Sequence, residues 1–320
     1  MSIAAQPPAS VRGRDLLSAS DLSVAEVELV FDRAAELKTE FRATRRHAVQ
    51  PLAGRTLAML FQKPSLRTRV TFEAGMTQLG GHAVHLSTAD VGTGTRESVA
   101  DVARNLDRWV DGIVVRTFAH AIAEELAGAA AIPVINALTD LEHPCQALAD
   151  LFTLRERFGS LDGLVLAFVG DGNNVFHSLA LLGARLGLEV RLAHPAGHGP
   201  DPTIVERARA IAGGPGRVVL GDDPRSAVRG ADVVYTDVWT SMGQEAEAER
   251  RRTEFAAFRV DARLLSSAGP STLVMHCLPA HRDEEIASDV LDGPRSIVLD
   301  QAENRLHVQK GFLAESLGGR

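Results

Sequence analysis

The sequence predicts an α/β protein of two doubly wound domains, each a mainly parallel sheet flanked by helices. Two observations carry this expectation. Short apolar, β-branched runs alternate with longer amphipathic ones along the chain, the pattern of parallel strands covered by helices on both faces. A length of 320 residues exceeds what one core usually supports and suggests two domains.

In chain order, the first amphipathic run is residues 23–41. It opens with a capping box, Ser23 and Glu26, and carries an apolar stripe of Val24, Val27, Phe31 and Ala34. Strand-like runs follow at 56–61, 83–86, 112–116 and 133–136, then at 165–169, 189–193, 233–236, 273–275 and 297–299. Helix-like runs lie between them near 67–79, 97–109, 121–130, 144–158, 175–187 and 203–212, and a last one at 303–316. The run from Pro144 to Phe158 leads almost directly into the strand near Leu164, so the domain boundary falls on or just after it. The expected units are 1–150 and 151–302, with the final helix, 303–320, crossing back to complete the first.

Composition narrows the function. The chain is 45% hydrophobic and 23% charged, with a formal charge of −7, which argues against nucleic acid or an anionic membrane as partner. No apolar run approaches the length of a bilayer span, and residues 1–14 lack the apolar segment of a secretory signal. Two cysteines, Cys145 and Cys277, form no disulfide framework and suggest a reducing, cytoplasmic setting.

In open parallel sheets ligands sit at the carboxyl ends of strands, and the notable polar residues fall there. Ser65-Leu66-Arg67-Thr68-Arg69 lies between an apolar run and a helix start. Free N–H groups, the positive end of the helix dipole, two hydroxyls and two guanidiniums together suit a phosphate. Arg67, Arg69, Arg116 and Arg305 could converge on one anion, although Glu73, four residues on, offers Arg69 an ordinary helix-surface pair. His143-Pro144-Cys145-Gln146 opens a helix with proline in its favoured first turn; His143 and Gln146 can bond a carbonyl, while Cys145 reads as a buried small residue.

Val169-Gly170-Asp171-Gly172-Asn173-Asn174 only partly matches a dinucleotide fingerprint. Val175 occupies the third glycine slot, and the next strand ends in Ala193-His194 rather than an acid, so a nicotinamide-dependent dehydrogenase fails on two counts. The loop from Asp237 to Glu245 follows a strand and could meet an ammonium and a carboxylate. His276-Cys277-Leu278-Pro279 follows another; Cys277 is a candidate thiolate beside a reacting amine. Zinc held by His143, Cys145, His276 and Cys277 would lack any recognised ligand spacing.

Taken in order, these four motifs resemble the ornithine carbamoyltransferase family over about Gly13 to Leu317. The resemblance implies a carbamoyl-phosphate domain, then an ornithine domain, in a homotrimer or multiple of trimers, with no cofactor and no metal. It implies that Ser65, Leu66, Arg67 and Thr68 hold the phosphate. Arg116, His143, Gln146 and Arg305 would bind the rest of carbamoyl phosphate, with Cys277 and Leu278 closing on it and positioning the amine. Asn174, Asp237, Ser241 and Met242 would hold ornithine, and Arg116, His143, Asp237 and Cys277 would carry the chemistry. L-Citrulline and phosphate would be the products, formed by direct amine attack; another amine, such as putrescine, is the alternative, and a non-catalytic relative the remaining one. Two departures stand out. Leu66 replaces a common threonine, and Gly92 stands where many members place a glutamine or histidine reaching into the neighbouring subunit. Arg96 is the candidate to replace that contact.

Overall fold

The computed structural model describes residues 9–87, 91, 97–241 and 243–319. Gly92, Arg96 and Met242, to which roles were assigned above, lie outside them.

After helix α1 (Val24–Thr44), the chain forms β1 (Thr56–Phe61), α2 (Leu66–Gln78), β2 (His82–Ser87), α3 (Val99–Leu106), β3 (Gly112–Arg116), α4 (His120–Ala129) and β4 (Val134–Leu138). These strands make one parallel sheet in the order β2-β1-β3-β4. Helix α5 (Pro144–Phe158) then leads to a second parallel sheet, β7-β6-β5-β8-β9, built from β5 (Val165–Val169), β6 (Glu189–Ala193), β7 (Arg217–Gly221), β8 (Val233–Thr236) and β9 (Leu273–His276). Helices α6 (Asn174–Arg185) and α7 (Pro202–Ala210) cover it. The central strands β3 and β8, and the edge strand β4, are buried along their whole length, as expected where both faces are covered. The last helix, α12 (Val298–Leu317), packs on α1, α2 and α5 and also touches β9. Its buried face joins a core cluster running from Phe31 and Phe72 through Phe152 to Phe168 and Tyr235, so one continuous apolar body links the two sheets.

Each sheet has one place where strand order reverses, between β1 and β3 and between β5 and β8. Adjacent connections leave in opposite directions there, opening a crevice at the carboxyl ends. Lys63–Arg69 and Arg116 rim the first crevice; Gly170–Asn174 and Asp237 rim the second.

The structure departs from the sequence expectation at two strands. Residues 297–299 are not a strand: Ile297 caps α12, and only Val274 bridges to Ser296 before the helix begins. A three-residue apolar run carries no period by which strand and helix start can be told apart. Conversely, β7 was missed: its apolar run, Val218-Val219-Leu220, is only three residues long between Arg217 and Gly221, and as an edge strand it is mostly exposed. The short helices α8 (Pro224–Val228), α9 (Ala248–Phe255), α10 (Ala262–Leu265) and α11 (Ser288–Leu291) were likewise not expected.

Candidate active site

The two crevices open into one cleft of about 910 Å³. From the first domain it is lined by Ser65, Arg67, Thr68, Arg116, His143 and Gln146, with Arg305 reaching in from α12. From the second come Asn174, Asp237, Ser241, Cys277 and Leu278. The described residues to which the sequence assigns a role therefore converge, save Leu66 and Arg69. The Leu66 side chain is 74% exposed and turned to solvent, leaving its backbone, in the first turn of α2, as what it offers the cleft. Arg69 does not line the cleft; its Nε donates to Glu73 Oε1 at 3.0 Å.

The anion side is built on two helix starts. Ser65 caps α2, its hydroxyl accepting from Thr68 N–H at 3.2 Å. His143 caps α5, and its N–H donates to Ser178 Oγ at 2.9 Å; that hydroxyl in turn donates to Glu142 Oε2 at 3.0 Å. Arg305, on the buried face of α12, donates through Nη1 to Gln146 Oε1 and through Nη2 to Thr68 Oγ1. Arg305, Arg116 and His143 are each at least 95% buried, and three of their atoms, Arg305 Nε, Arg116 Nε and His143 Nδ1, have no protein partner. Like charges and burial show in the proton affinities. Burial, then Arg305 and Arg67, pulls Arg116 down to about 9. Burial and the same guanidiniums hold His143 well below the usual imidazole range, so its ring is neutral. This arrangement is electrostatically unsatisfied and suits an anion with several acceptor oxygens.

On the other side, Asp237 Oδ2 accepts from Asn173 Nδ2 at 2.8 Å, while Oδ1 accepts from Val238 N–H at 2.8 Å and from the Cys277 thiol at 2.9 Å. The thiolate expectation for Cys277 is corrected here. Burial and the neighbouring Asp237 hold the thiol well above its ordinary range, so it stays protonated and donates. The turn after it is locked. Leu278 sits at φ 58°, a left-handed conformation uncommon for a branched side chain, before a cis bond to Pro279. Its N–H donates to His276 Nδ1 at 2.8 Å, which fixes the tautomer and leaves His276 Nε2–H to donate to Glu285 Oε1 at 3.1 Å.

Asn174 donates to the Thr139 carbonyl at 2.6 Å, tying the two domains across the cleft. Ser241 N–H donates to Gln244 Oε1 at 3.1 Å; the same oxygen accepts from Arg251 Nη2 at 3.1 Å, and Arg251 pairs with Asp171 at 2.6 Å. Sequence reasoning missed Asn173, Arg251 and Lys63. Lys63 pairs with Asp140 and lies 4.2 Å from the Phe118 ring centre at the cleft wall. Asn173 was one residue from the assigned Asn174 and held the helix-capping position, a legible signal; Arg251 sits in a charge-rich run where nothing singles it out.

Among the described residues, groups of possible metal-ligand atoms within 4.8 Å of one another are Asp237–His276–Cys277 and His281–Glu284–Glu285. The set His143, Cys145, His276 and Cys277 is not gathered: Cys145 turns away to the Asn136 carbonyl, and burial pushes its thiol up to about 12.

Comparison with known proteins agrees with this geometry. Residues 14–156 match the carbamoyl-P binding domain, and residues 162–315 the Asp/Orn binding domain, of aspartate/ornithine carbamoyltransferases. A protein of Symbiobacterium thermophilum named ornithine carbamoyltransferase is 53% identical over 95% of this chain and 98% of its own length. One of Thermococcus kodakarensis with the same name is 50% identical over 97% of this chain and 98% of its own. The solved ornithine carbamoyltransferase of Pyrococcus furiosus superposes with a TM-score of 0.94 at 48% identity, covering 98% of this chain and 99% of that one. With both domains matched and the fold shared end to end, the chain belongs to the aspartate/ornithine carbamoyltransferase family.

Proposed function

We propose that the chain transfers the carbamoyl group of carbamoyl phosphate to the δ-amine of L-ornithine, giving L-citrulline and phosphate. The observation that carries this reading is one cleft with three guanidiniums on one wall, Arg116 and Arg305 buried and Arg67 half-buried, and a thiol–carboxylate pair, Cys277–Asp237, on the other. The names of the relatives support ornithine as the amine.

In this reading the phosphate rests on the α2 N-terminus, Ser65, the Leu66 N–H, Thr68, Arg67 and Arg305. Arg116, Gln146 and neutral His143 hold the carbamoyl group, with Arg116 and His143 aimed at its oxygen. Asp237, Asn174 and Ser241, with Met242, hold the α-amino-acid end. Cys277 and the Leu278 carbonyl place the δ-amine. A free alkyl amine has a pKa of about 10, so roughly one molecule in a thousand is neutral at pH 7. The cluster of guanidiniums disfavours an incoming ammonium and so favours the neutral nucleophile. Attack on the carbonyl carbon then makes a tetrahedral oxyanion; Arg116 and His143 donate to it, and phosphate leaves with the C–O bond electrons, the proton shed by the attacking nitrogen ending on it as hydrogen phosphate. Burial of both substrates between the domains keeps water from carbamoyl phosphate.

The same reading divides the chain into a carbamoyl-phosphate domain, 1–150 completed by the final helix, and an ornithine domain, 151–302. It also expects a homotrimer, to be tested by light scattering, in a reducing cytoplasm suited to the free Cys145 and Cys277. The deciding experiment supplies the purified protein with carbamoyl phosphate and, separately, ornithine, putrescine, lysine, N-acetylornithine and aspartate. Citrulline as the dominant ureido product is expected. Faster carbamoylation of putrescine would leave the phosphate wall standing and overturn the roles of Asp237 and Ser241.

A further inference from the structure

Asp150 lies beneath the cleft, not on it. It is fully buried on α5, one helical turn beyond Gln146. Its Oδ1 accepts from two side-chain amides, Gln146 Nε2 at 2.8 Å and Gln301 Nε2 at 2.7 Å, and its Oδ2 accepts from the Tyr235 hydroxyl at 3.0 Å. An amide has one donor end and one acceptor end, so a carboxylate that takes the donor end dictates where the carbonyl points. Gln146 Oε1 is thereby presented to Arg305, and Gln301 Oε1 to the His276 N–H at 3.0 Å. The three partners belong to α5, α12 and β8. Gln301 precedes Arg305 by one turn, Tyr235 precedes Asp237 by two residues, and His276 precedes Cys277 directly. One side chain thus stands one contact behind the first wall of the cleft and two behind the second.

We propose that Asp150 is a positioning residue for both halves of the reaction. It fixes the amide sense of Gln146 and with it the Gln146–Arg305 contact that faces carbamoyl phosphate. Through Gln301 it also fixes the backbone at the head of the turn that carries Cys277 and Leu278. This rests on the functional reading above and extends it to a residue that touches neither substrate. The role needs one oxygen that accepts from both amides, which the ionised carboxyl supplies. Burial raises Asp150 to about 6, against its hydrogen bonds and Arg305, so it is mainly ionised at neutral pH.

Three variants test it. Asp150→Asn keeps one oxygen for both glutamine amides and turns an N–H toward the Tyr235 oxygen, so it should preserve both KM values within about three-fold. Asp150→Ala strands two amides and a hydroxyl; it should raise the KM of carbamoyl phosphate and of ornithine by about ten-fold or more. Gln301→Ala cuts only the second arm, so ornithine KM should rise about five-fold or more while that of carbamoyl phosphate moves less than about two-fold. Melting temperature is recorded for each. A folded Asp150→Ala protein with both KM values unchanged overturns the proposal, as does an Asp150→Asn protein as impaired as Asp150→Ala. Should Asp150→Ala not fold, the Gln301→Ala split decides alone: equal shifts in both KM values, or none, overturn it. Turnover by the unaltered chain is measured first. If ornithine is not carbamoylated, the functional reading fails on its own. The first arm is then read by calorimetry with inorganic phosphate: about ten-fold weaker binding to Asp150→Ala supports it, and unchanged binding overturns it.

Discussion

Replacing Arg305 by methionine should separate function from stability in opposite directions. Arg305 is 2% exposed, and burial is the leading cause lowering its proton affinity, with Arg67 adding to it. In the empty protein its charge repels Arg116 and Arg67, while its two bonds to Gln146 and Thr68 offset part of that cost. Methionine fills a similar volume without the charge. Exchanging a buried charge for a packed apolar group is often neutral or stabilising, so the ligand-free variant should lie within about 1 kcal/mol of the original. Phosphate binding should suffer instead. Losing a desolvated, charge-assisted contact costs about 3 kcal/mol, or about 100-fold in affinity. At a phosphate concentration about 100 times the original dissociation constant, ligand adds about 2.7 kcal/mol to the original protein but only about 0.4 kcal/mol to the variant. Thermal melts with and without phosphate read this directly, and the KM for carbamoyl phosphate should rise in parallel. A variant that melts far lower when empty yet keeps its phosphate-induced shift would refute the reasoning, because Arg305 would then be a structural clasp.

Three further outcomes follow from the same geometry. Because burial and Asp237 keep Cys277 protonated, iodoacetamide at pH 8 should modify it more slowly than it does free cysteine, counted by intact mass. Asp237→Asn replaces one of the two acceptors that face Asn173 Nδ2 and the Cys277 thiol with a donor and removes the charge, so ornithine KM should rise by about 100-fold with carbamoyl phosphate KM little changed, in steady-state assays. Asp150 has a folded pKa of about 6 against 3.8 when free, a raised value. Its neutral form is therefore favoured in the folded state; the stability it contributes is full below pH 3.8 and lost as pH rises to about 6. The loss amounts to about 3 kcal/mol, although Arg305 on α12, Tyr235 on β8 and Cys277 after β9 share in it. Denaturant titrations of Asp150→Asn and the original chain should diverge accordingly, with the asparagine form gaining relative stability between pH 4 and 7.

How far the sequence could be read depended on how local each signal was. Buried strands such as Thr56–Phe61 and Val165–Val169 announce themselves because both faces are covered and every position but Thr56 is apolar. The edge strand β7 and the charged helix α9 gave no such run, since their stability comes from neighbours rather than from their own pattern. The phosphate motif was legible because helix start, hydroxyls and arginines lie within five residues, 65–69. The protonation of Cys277 was not, since it depends on Asp237, forty residues away, and on burial that only the assembled cleft creates. Asp150 was hidden for a related reason. One carboxylate in an apolar helix reads as a surface residue until Tyr235 and Gln301 are brought against it.

These long-range dependences have a common physical root. A site that must hold a phosphate needs several positive charges close together, and that cluster is unfavourable when empty. Here Arg116 and Arg305 are kept in place by packing beneath an apolar body shared by both sheets. The neutral partners of Arg305, Gln146 and Thr68, remove little of the repulsion. The counter-charges, Asp237 and Asp150, stand one layer away, bonded to Cys277, Asn173 and two glutamines rather than to the arginines. Direct salt bridges would have neutralised the site and made phosphate compete with a carboxylate for every guanidinium. Holding the acids back leaves unspent donors at Arg116 Nε, Arg305 Nε and His143 Nδ1. It follows that an acid introduced into this wall facing Arg305, as in Thr68→Asp, should raise melting temperature and abolish phosphate binding together, since it would supply internally the anion the cleft is built to take from solution.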